Sequence, residues 1–239
     1  FFFTCVCAPC FPAPCPPPPS SGRPLSPPPH PTPPPPKVNP FTVSDPAPSP
    51  LRETSRGLVH TSISDVLLRE RTLVISGEIE PLMASALCQH VLFLEREDPS
   101  SPITLFVSSP GGQVGPGLAI YDVLRSVSCP IRTVCSDLAA SMGSIIFMAG
   151  DEREMYPHAS LMIHDPLIPQ GAGGSALALQ ETSKRLMERR RTLNTILAER
   201  SGLTLKRIQS LTCKDTYLEA ERALDLGFAT RIIESRKEL

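Results

Sequence analysis

Long uninterrupted apolar segments are absent from this chain of 239 residues. No apolar run reaches the roughly 18 residues that a membrane-spanning helix needs. Even so, 41% of the residues are hydrophobic, which is enough for one sizeable core or two small ones. The sequence therefore predicts a globular chain without a membrane span.

An excess of charge of either sign is also absent. The 23 Lys and Arg residues nearly balance the 24 Asp and Glu residues, so the formal net charge at pH 7 is -1. Nothing in this balance points to a polyanionic partner. We therefore predict no nucleic acid and no membrane among the partners.

Metal-ligand spacing is lacking among the cysteines. The four cysteines of residues 5–15 have no adjacent histidine, which makes a poor zinc pattern. The others, Cys88, Cys129, Cys135 and Cys213, lie in apolar or mixed surroundings. We interpret these four as buried thiols of a reducing compartment and predict no metal site.

Proline is abundant but very unevenly distributed. Twenty of the 29 prolines lie in residues 1–50. Because proline fixes φ and lacks an N–H, a segment this rich in it forms neither helix nor central strand. We interpret residues 1–55 as a proline-rich disordered tail and residues 56–239 as the folded domain.

Short strands and helices alternate in the second part of the chain. Strands are predicted at residues 73–75, 103–107 and 131–135, and apolar residues at helical spacing fill residues 83–94 and 116–127. This alternation is typical of βαβ units. It predicts an α/β fold with a mostly parallel sheet and helices packed on it.

One long helix is predicted at residues 175–200. Its narrow apolar stripe consists of Leu179, Leu186, Leu193 and Leu197. Such a stripe suits a helix that projects and meets a partner helix, and the alternative is a helix packed on its own domain. We interpret the arginines of residues 189–191 as a solvated or ion-paired face.

Ser141 stands between small residues and an apolar helical segment. At a helix start the first amides have no internal partner and the dipole favours negative charge. A nucleophilic serine there has oxyanion donors beside it, and the Met142 N–H is the obvious one. The alternative is a plain N-cap, which is a far commoner role for such a serine.

His164 ends an apolar stretch, where it is well placed to reach a site at the edge of the sheet. A lone histidine in this position is usually structural. Asp165 is adjacent in sequence, so its side chain is poorly placed to hold the neighbouring ring. The residues alone do not choose among the other carboxylates, which include Asp215.

Several short stretches, in one order, resemble the ClpP family over about residues 67–233. They are LLRER (67–71), LFL (92–94), SPGG (109–112), AIYD (119–122), AASMG (139–143), MIH (162–164) and EAERA (219–223) with Gly227. The resemblance implies Ser141 as nucleophile, His164 as general base and Asp215 as the third member of a catalytic triad. It implies that the Gly112 and Met142 amides form the oxyanion hole.

The same resemblance implies a fold, an assembly and a partner. The expected fold is a crotonase/ClpP-like ββα spiral whose projecting "handle" helix is residues 175–200. The expected assembly is two stacked heptameric rings, into which a separate AAA+ Clp unfoldase feeds unfolded polypeptide. We expect no cofactor, since ATP is used by that unfoldase and this sequence contains no P-loop.

Two other functions fit the same fold. One is a catalytically inactive ClpP-like structural ring subunit, which typically lacks one or more triad residues. The other is an acyl-CoA hydratase or isomerase, which uses glutamate bases, so Ser141 and His164 argue against it. We expect a bacterial cytoplasmic location, with mitochondrial matrix or plastid stroma as alternatives, because residues 1–36 do not resemble a transit peptide.

Overall fold

The computed structural model describes residues 51–54, 57–60, 62–168 and 171–234 of the chain. All of them belong to one unit, residues 40–239. The predicted tail up to residue 50, with the cysteines of residues 5–15, lies outside the described residues. Its predicted lack of structure stays a prediction.

The predicted end of the tail at residue 55 is corrected by a hairpin. Strand β1 (Leu51–Thr54) pairs antiparallel with β2 (Gly57–His60), with Leu51 opposite His60. The physical reason lies in the proline distribution, because no proline occurs between Pro50 and Pro81. Every backbone N–H of both strands is therefore available for pairing.

A seven-stranded sheet forms the centre of the domain. Its strands are β3 (Thr72–Ser76), β4 (Ile103–Ser109), β5 (Ile131–Ala140), β6 (Glu152–Met155), β7 (Ser160–Ile163), β8 (Thr216–Glu219) and β9 (Arg231–Ile232). The order β3-β4-β5-β6-β9 is parallel throughout. Strand β7 also pairs parallel with β5, and β8 pairs antiparallel with β7.

The described residues form seven helices. They are α1 (Ile63–Arg69), α2 (Pro81–Glu97), α3 (Val114–Ser126), α4 (Met142–Phe147), α5 (Ala176–Ser201), α6 (Leu205–Thr212) and α7 (Ala220–Asp225). One hydrophobic core joins them to the sheet. The predicted α/β fold with a mostly parallel sheet is confirmed. None of these helices has the length and apolar character needed to cross a membrane.

Strand β5 is longer than predicted and carries the chain into the site. The apolar run ends at Cys135, but pairing continues to Ala140. The β4 register shifts between Val107 and Ser109, which takes up the irregular stretch around Asp137. Tertiary pairing therefore extends the strand beyond the apolar pattern.

Helix α5 divides into two halves with different surroundings. Leu193 and Leu197 are buried within the domain, whereas Leu179 is 40% and Met187 is 56% exposed. Ser175 caps the start of the helix by accepting from the Ala178 N–H, 3.3 Å away. Packing on the domain is confirmed for Leu193 and Leu197, whereas contact of the first half of the helix with a partner helix stays a prediction.

The four described cysteines are free, but they are not all buried. Cys129 and Cys135 are buried, and burial raises the pKa of the Cys135 thiol to about 12. Cys88 is half-buried. The prediction for Cys213 is wrong, because it is exposed where α6 ends and the chain turns toward β8.

The burial of β4 predicts a large effect of truncation. Leu105 is 0% exposed on a strand paired on both sides, so Leu105→Ala should lower the free energy of unfolding by about 2–5 kcal/mol. Leu82→Ala is the control, since Leu82 is 85% exposed, and should change it by about 0.5 kcal/mol or less. Denaturant titration measures both, and equal midpoints would contradict the placement of Leu105 in the core.

Candidate active site

Ser141 joins β5 to α4 in a strained backbone conformation. Its φ is 53° and its ψ is -118°, and Arg71 is the one other non-glycine residue with positive φ in the described part of the chain. Such a conformation costs on the order of 1–3 kcal/mol. The Ser141 side chain makes no capping hydrogen bond to α4, so it does not act as a plain N-cap.

The pairing of β7 with β5 brings His164 to Ser141. Ala140 lies opposite Met162, and the Ser141 N–H donates to the Met162 carbonyl at 2.8 Å. His164 is the residue immediately after β7. Its Nε2 lies 2.8 Å from Ser141 Oγ.

The pairing of β8 with β7 brings Asp215 to the other side of the same ring. Ile163 lies opposite Thr216, so their neighbours His164 and Asp215 face each other across the antiparallel pair. His164 Nδ1 lies 3.0 Å from Asp215 Oδ1. An ionised carboxylate only accepts, so Nδ1 of the neutral ring donates and Nε2 is left to accept from the Ser141 hydroxyl.

The two predicted oxyanion donors are the amides of Gly112, in the turn after β4, and of Met142, at the start of α4. In the turn after β4, Ile79 donates to the Gly111 carbonyl at 2.8 Å, and Gln113 donates to Ile79 at 2.9 Å. Among the hydrogen bonds of the described residues, none has the Gly112 or Met142 amide as donor. Both amides are therefore available to an incoming oxygen.

Glycine is required at both positions of this turn. At Gly112, where φ is 147°, a Cβ would collide with the backbone of Ile79. At Gly111, a Cβ would lie 2.7 Å from Ser141 Cβ. The sequence prediction had no role for Gly111 beyond its motif, although Gly111 provides the close contact between the turn and Ser141.

A cleft of about 590 Å³ opens beside Ser141. Gly112, Met142 and His164 line it together with Ser141, whereas Asp215 does not. Its walls are mainly apolar and include Ile145 of α4 and Leu193 and Leu197 of α5.

Asp165 turns away from the ring of its neighbour. Its Oδ2 accepts from Arg190 Nε of α5 at 2.6 Å, and its backbone N–H donates to the Thr212 carbonyl at 2.7 Å. The expectation that Asp165 does not hold His164 agrees with this geometry. The sequence analysis did not identify Arg190 as the partner of Asp165, because no local spacing links residues 25 positions apart.

Comparison with known families identifies the family of this chain and is consistent with its fold. The model of the Clp protease family matches residues 55–236, and the chain therefore belongs to that family. Membership implies a serine peptidase in general and a subunit that assembles with its own kind into rings. The α/β structure, with its central sheet and seven described helices, is consistent with the ClpP-like fold. No group of three or more potential metal ligands occurs among the described residues.

The strained backbone at Ser141 predicts that glycine is more stabilising than alanine at this position, the reverse of the usual order. Ser141→Gly should be more stable than Ser141→Ala by about 1 kcal/mol, because glycine adopts a positive φ without steric cost. Thermal and denaturant unfolding of the two variants measure the difference.

The same pair of changes at Ser144 is the matched control. Ser144 lies within helix α4, where alanine exceeds glycine in stability by about 1 kcal/mol. The order of the two variants should therefore reverse between positions 141 and 144. The same order at both positions would contradict the strained conformation.

Proposed function

We propose that the chain is the proteolytic subunit of an ATP-dependent Clp protease, a serine endopeptidase that hydrolyses peptide bonds of unfolded proteins inside a ring-shaped chamber. The observation that carries the proposal is the hydrogen-bonded series Ser141–His164–Asp215, with separations of 2.8 and 3.0 Å. Hydroxyl, imidazole and carboxylate in this order are the groups that acyl transfer by serine requires.

The proposed mechanism begins with proton transfer. His164 Nε2 takes the hydroxyl proton while Ser141 Oγ attacks the peptide carbonyl carbon. Asp215 keeps the ring in the tautomer whose Nε2 is free to accept, and it stabilises the imidazolium that forms. His164 then returns the proton to the leaving amine, and a water activated by the same ring hydrolyses the acyl-enzyme.

The oxyanion that forms during attack requires donors that are already in place. The amides of Gly112 and Met142 meet this requirement, since neither donates to another described residue. The Met142 amide also lies at the start of α4, where unpaired N–H groups favour negative charge. We assign both amides to the oxyanion hole on these grounds.

The proposed assembly is two stacked heptameric rings that receive unfolded polypeptide from an AAA+ Clp unfoldase. The first half of α5 supports this, because Leu177, Leu179 and Met187 are 77%, 40% and 56% exposed. ATP hydrolysis belongs to the unfoldase, and no cofactor or metal is assigned to this chain. A bacterial cytoplasmic location stays a prediction.

Ser141→Ala should abolish hydrolysis of a short fluorogenic peptide, with kcat falling by about 10³-fold or more. His164→Ala in the same chain should add little further loss, because the two residues act as one unit. Wild-type protein should react with a serine-directed phosphonate, and Ser141→Ala should not. Ser126→Ala, an exposed serine on α3, is the control. A phosphonate-inert wild type would indicate the inactive ring subunit.

Leu179→Asp combined with Leu186→Asp should split stacked rings into single rings, because charge replaces apolar contact on one face of α5. Sedimentation should then show half the native particle mass. Leu193 belongs to the apolar stripe predicted from the sequence, but it is buried within the domain, so its replacement would disturb folding as well as assembly. Lys184→Asp, on the opposite face, is the control, and an unchanged particle in the double variant would refute stacking through α5.

A further inference from the structure

Asp165 links three parts of the domain at the residue next to His164. Its backbone N–H donates to the carbonyl of Thr212, three residues before Asp215. Its carboxylate accepts from Arg190 on α5. The residue that follows the imidazole is therefore bonded both to the segment that carries Asp215 and to the long helix.

The segment after β7 has few other attachments. Among the described residues 164–168, the hydrogen bonds outside His164 are the two made by Asp165 and one from the Gly171 N–H to the Ile168 carbonyl. Asp165 is thus the main point at which this segment is fixed. Its position bears directly on the two distances that His164 must keep.

The ion pair is poorly suited to a purely stabilising role. The Arg190 and Asp165 side chains are only 24% and 31% exposed, so the desolvation of two partly buried charges offsets much of their attraction. Asp165 Oδ1 is buried without a hydrogen-bond donor among the described residues, which is unfavourable. The arrangement is better explained by the geometry that it imposes.

Neither partner lines the cleft, although both have neighbours that do. His164, Pro166 and Arg189 line the cleft, whereas Asp165 and Arg190 do not. Loss of the ion pair therefore removes no side chain that lines the cleft. It alters the support of the segment that carries the imidazole and Pro166.

We propose that the Asp165–Arg190 ion pair is a positioning device that holds His164 between Ser141 and Asp215. This inference rests on the proposed peptidase function and adds two positioning residues to it. Without the pair, the segment after β7 shifts and His164 spends less time within reach of Ser141 Oγ. Misplacement of a reacting group by about 1 Å costs on the order of 10²-fold in rate.

The test is a double-mutant cycle on the full chain with Asp165→Asn, Arg190→Gln and the combination. Each single variant should lower kcat for a short peptide, and the rate of phosphonate labelling, by about 10- to 100-fold. KM should change less than kcat, because neither substituted side chain lines the cleft. The combination should lose no more than the worse single variant, since one interaction is removed in all three.

Two further variants separate positioning from folding. Arg190→Lys keeps a cation and should recover part of the labelling rate that Arg190→Gln loses. Arg132→Gln is the matched control, because Arg132 Nε also donates to a carboxylate, Glu152 Oε2, at 2.9 Å, but from the other end of β5. It should label at the wild-type rate. If Asp165→Asn does not fold, the two Arg190 variants and this control still decide the result.

The outcomes distinguish this inference from the proposed function. A wild type that labels with phosphonate, together with Asp165→Asn and Arg190→Gln proteins that label equally fast, overturns the positioning role and leaves the peptidase intact. Multiplied losses in the combined variant, or a raised KM with unchanged kcat, also overturn it. A wild type that does not label overturns the proposed function and this inference with it.

Discussion

The pairing of β7 with β5 on one side and β8 on the other is the constraint on which the site depends. Ala140 opposite Met162 sets Ser141 beside the end of β7, and Ile163 opposite Thr216 sets Asp215 beside it. A shift of one residue in either register would turn the side chains to the other face of the sheet. Ser141 and Asp215 are 23 and 51 residues from His164 in sequence. The two strand pairings thus determine both hydrogen bonds of the imidazole.

The strained backbone at Ser141 is held by its surroundings. All six residues of α4 are buried, and the Ser144 hydroxyl donates to the Ser141 carbonyl at 2.6 Å. On the other side, the glycine turn at Gly111 contacts the Ser141 side chain. Packing around Ser141 therefore offsets the free-energy cost of its positive φ. The same backbone conformation directs Oγ at the ring of His164 and leaves the Met142 amide without an acceptor.

Helix α5 serves the domain and the proposed assembly with different halves. Its second half contributes Leu193 and Leu197 to the core and to the cleft wall, and Arg190 holds the segment after His164. Its first half exposes apolar side chains that a second subunit can cover.

Local periodicity and short motifs were enough to predict the α/β class, the alternation of strands and helices, and the candidate residues. Physical reasoning from the sequence left several carboxylates open as partners of His164, and the resemblance to a family selected Asp215. Three features became known only from the structure: β5 runs to Ala140, Cys213 is exposed, and Arg190 binds Asp165. These features depend on strand register and on contacts between residues far apart in sequence, and local patterns carry no information about such contacts.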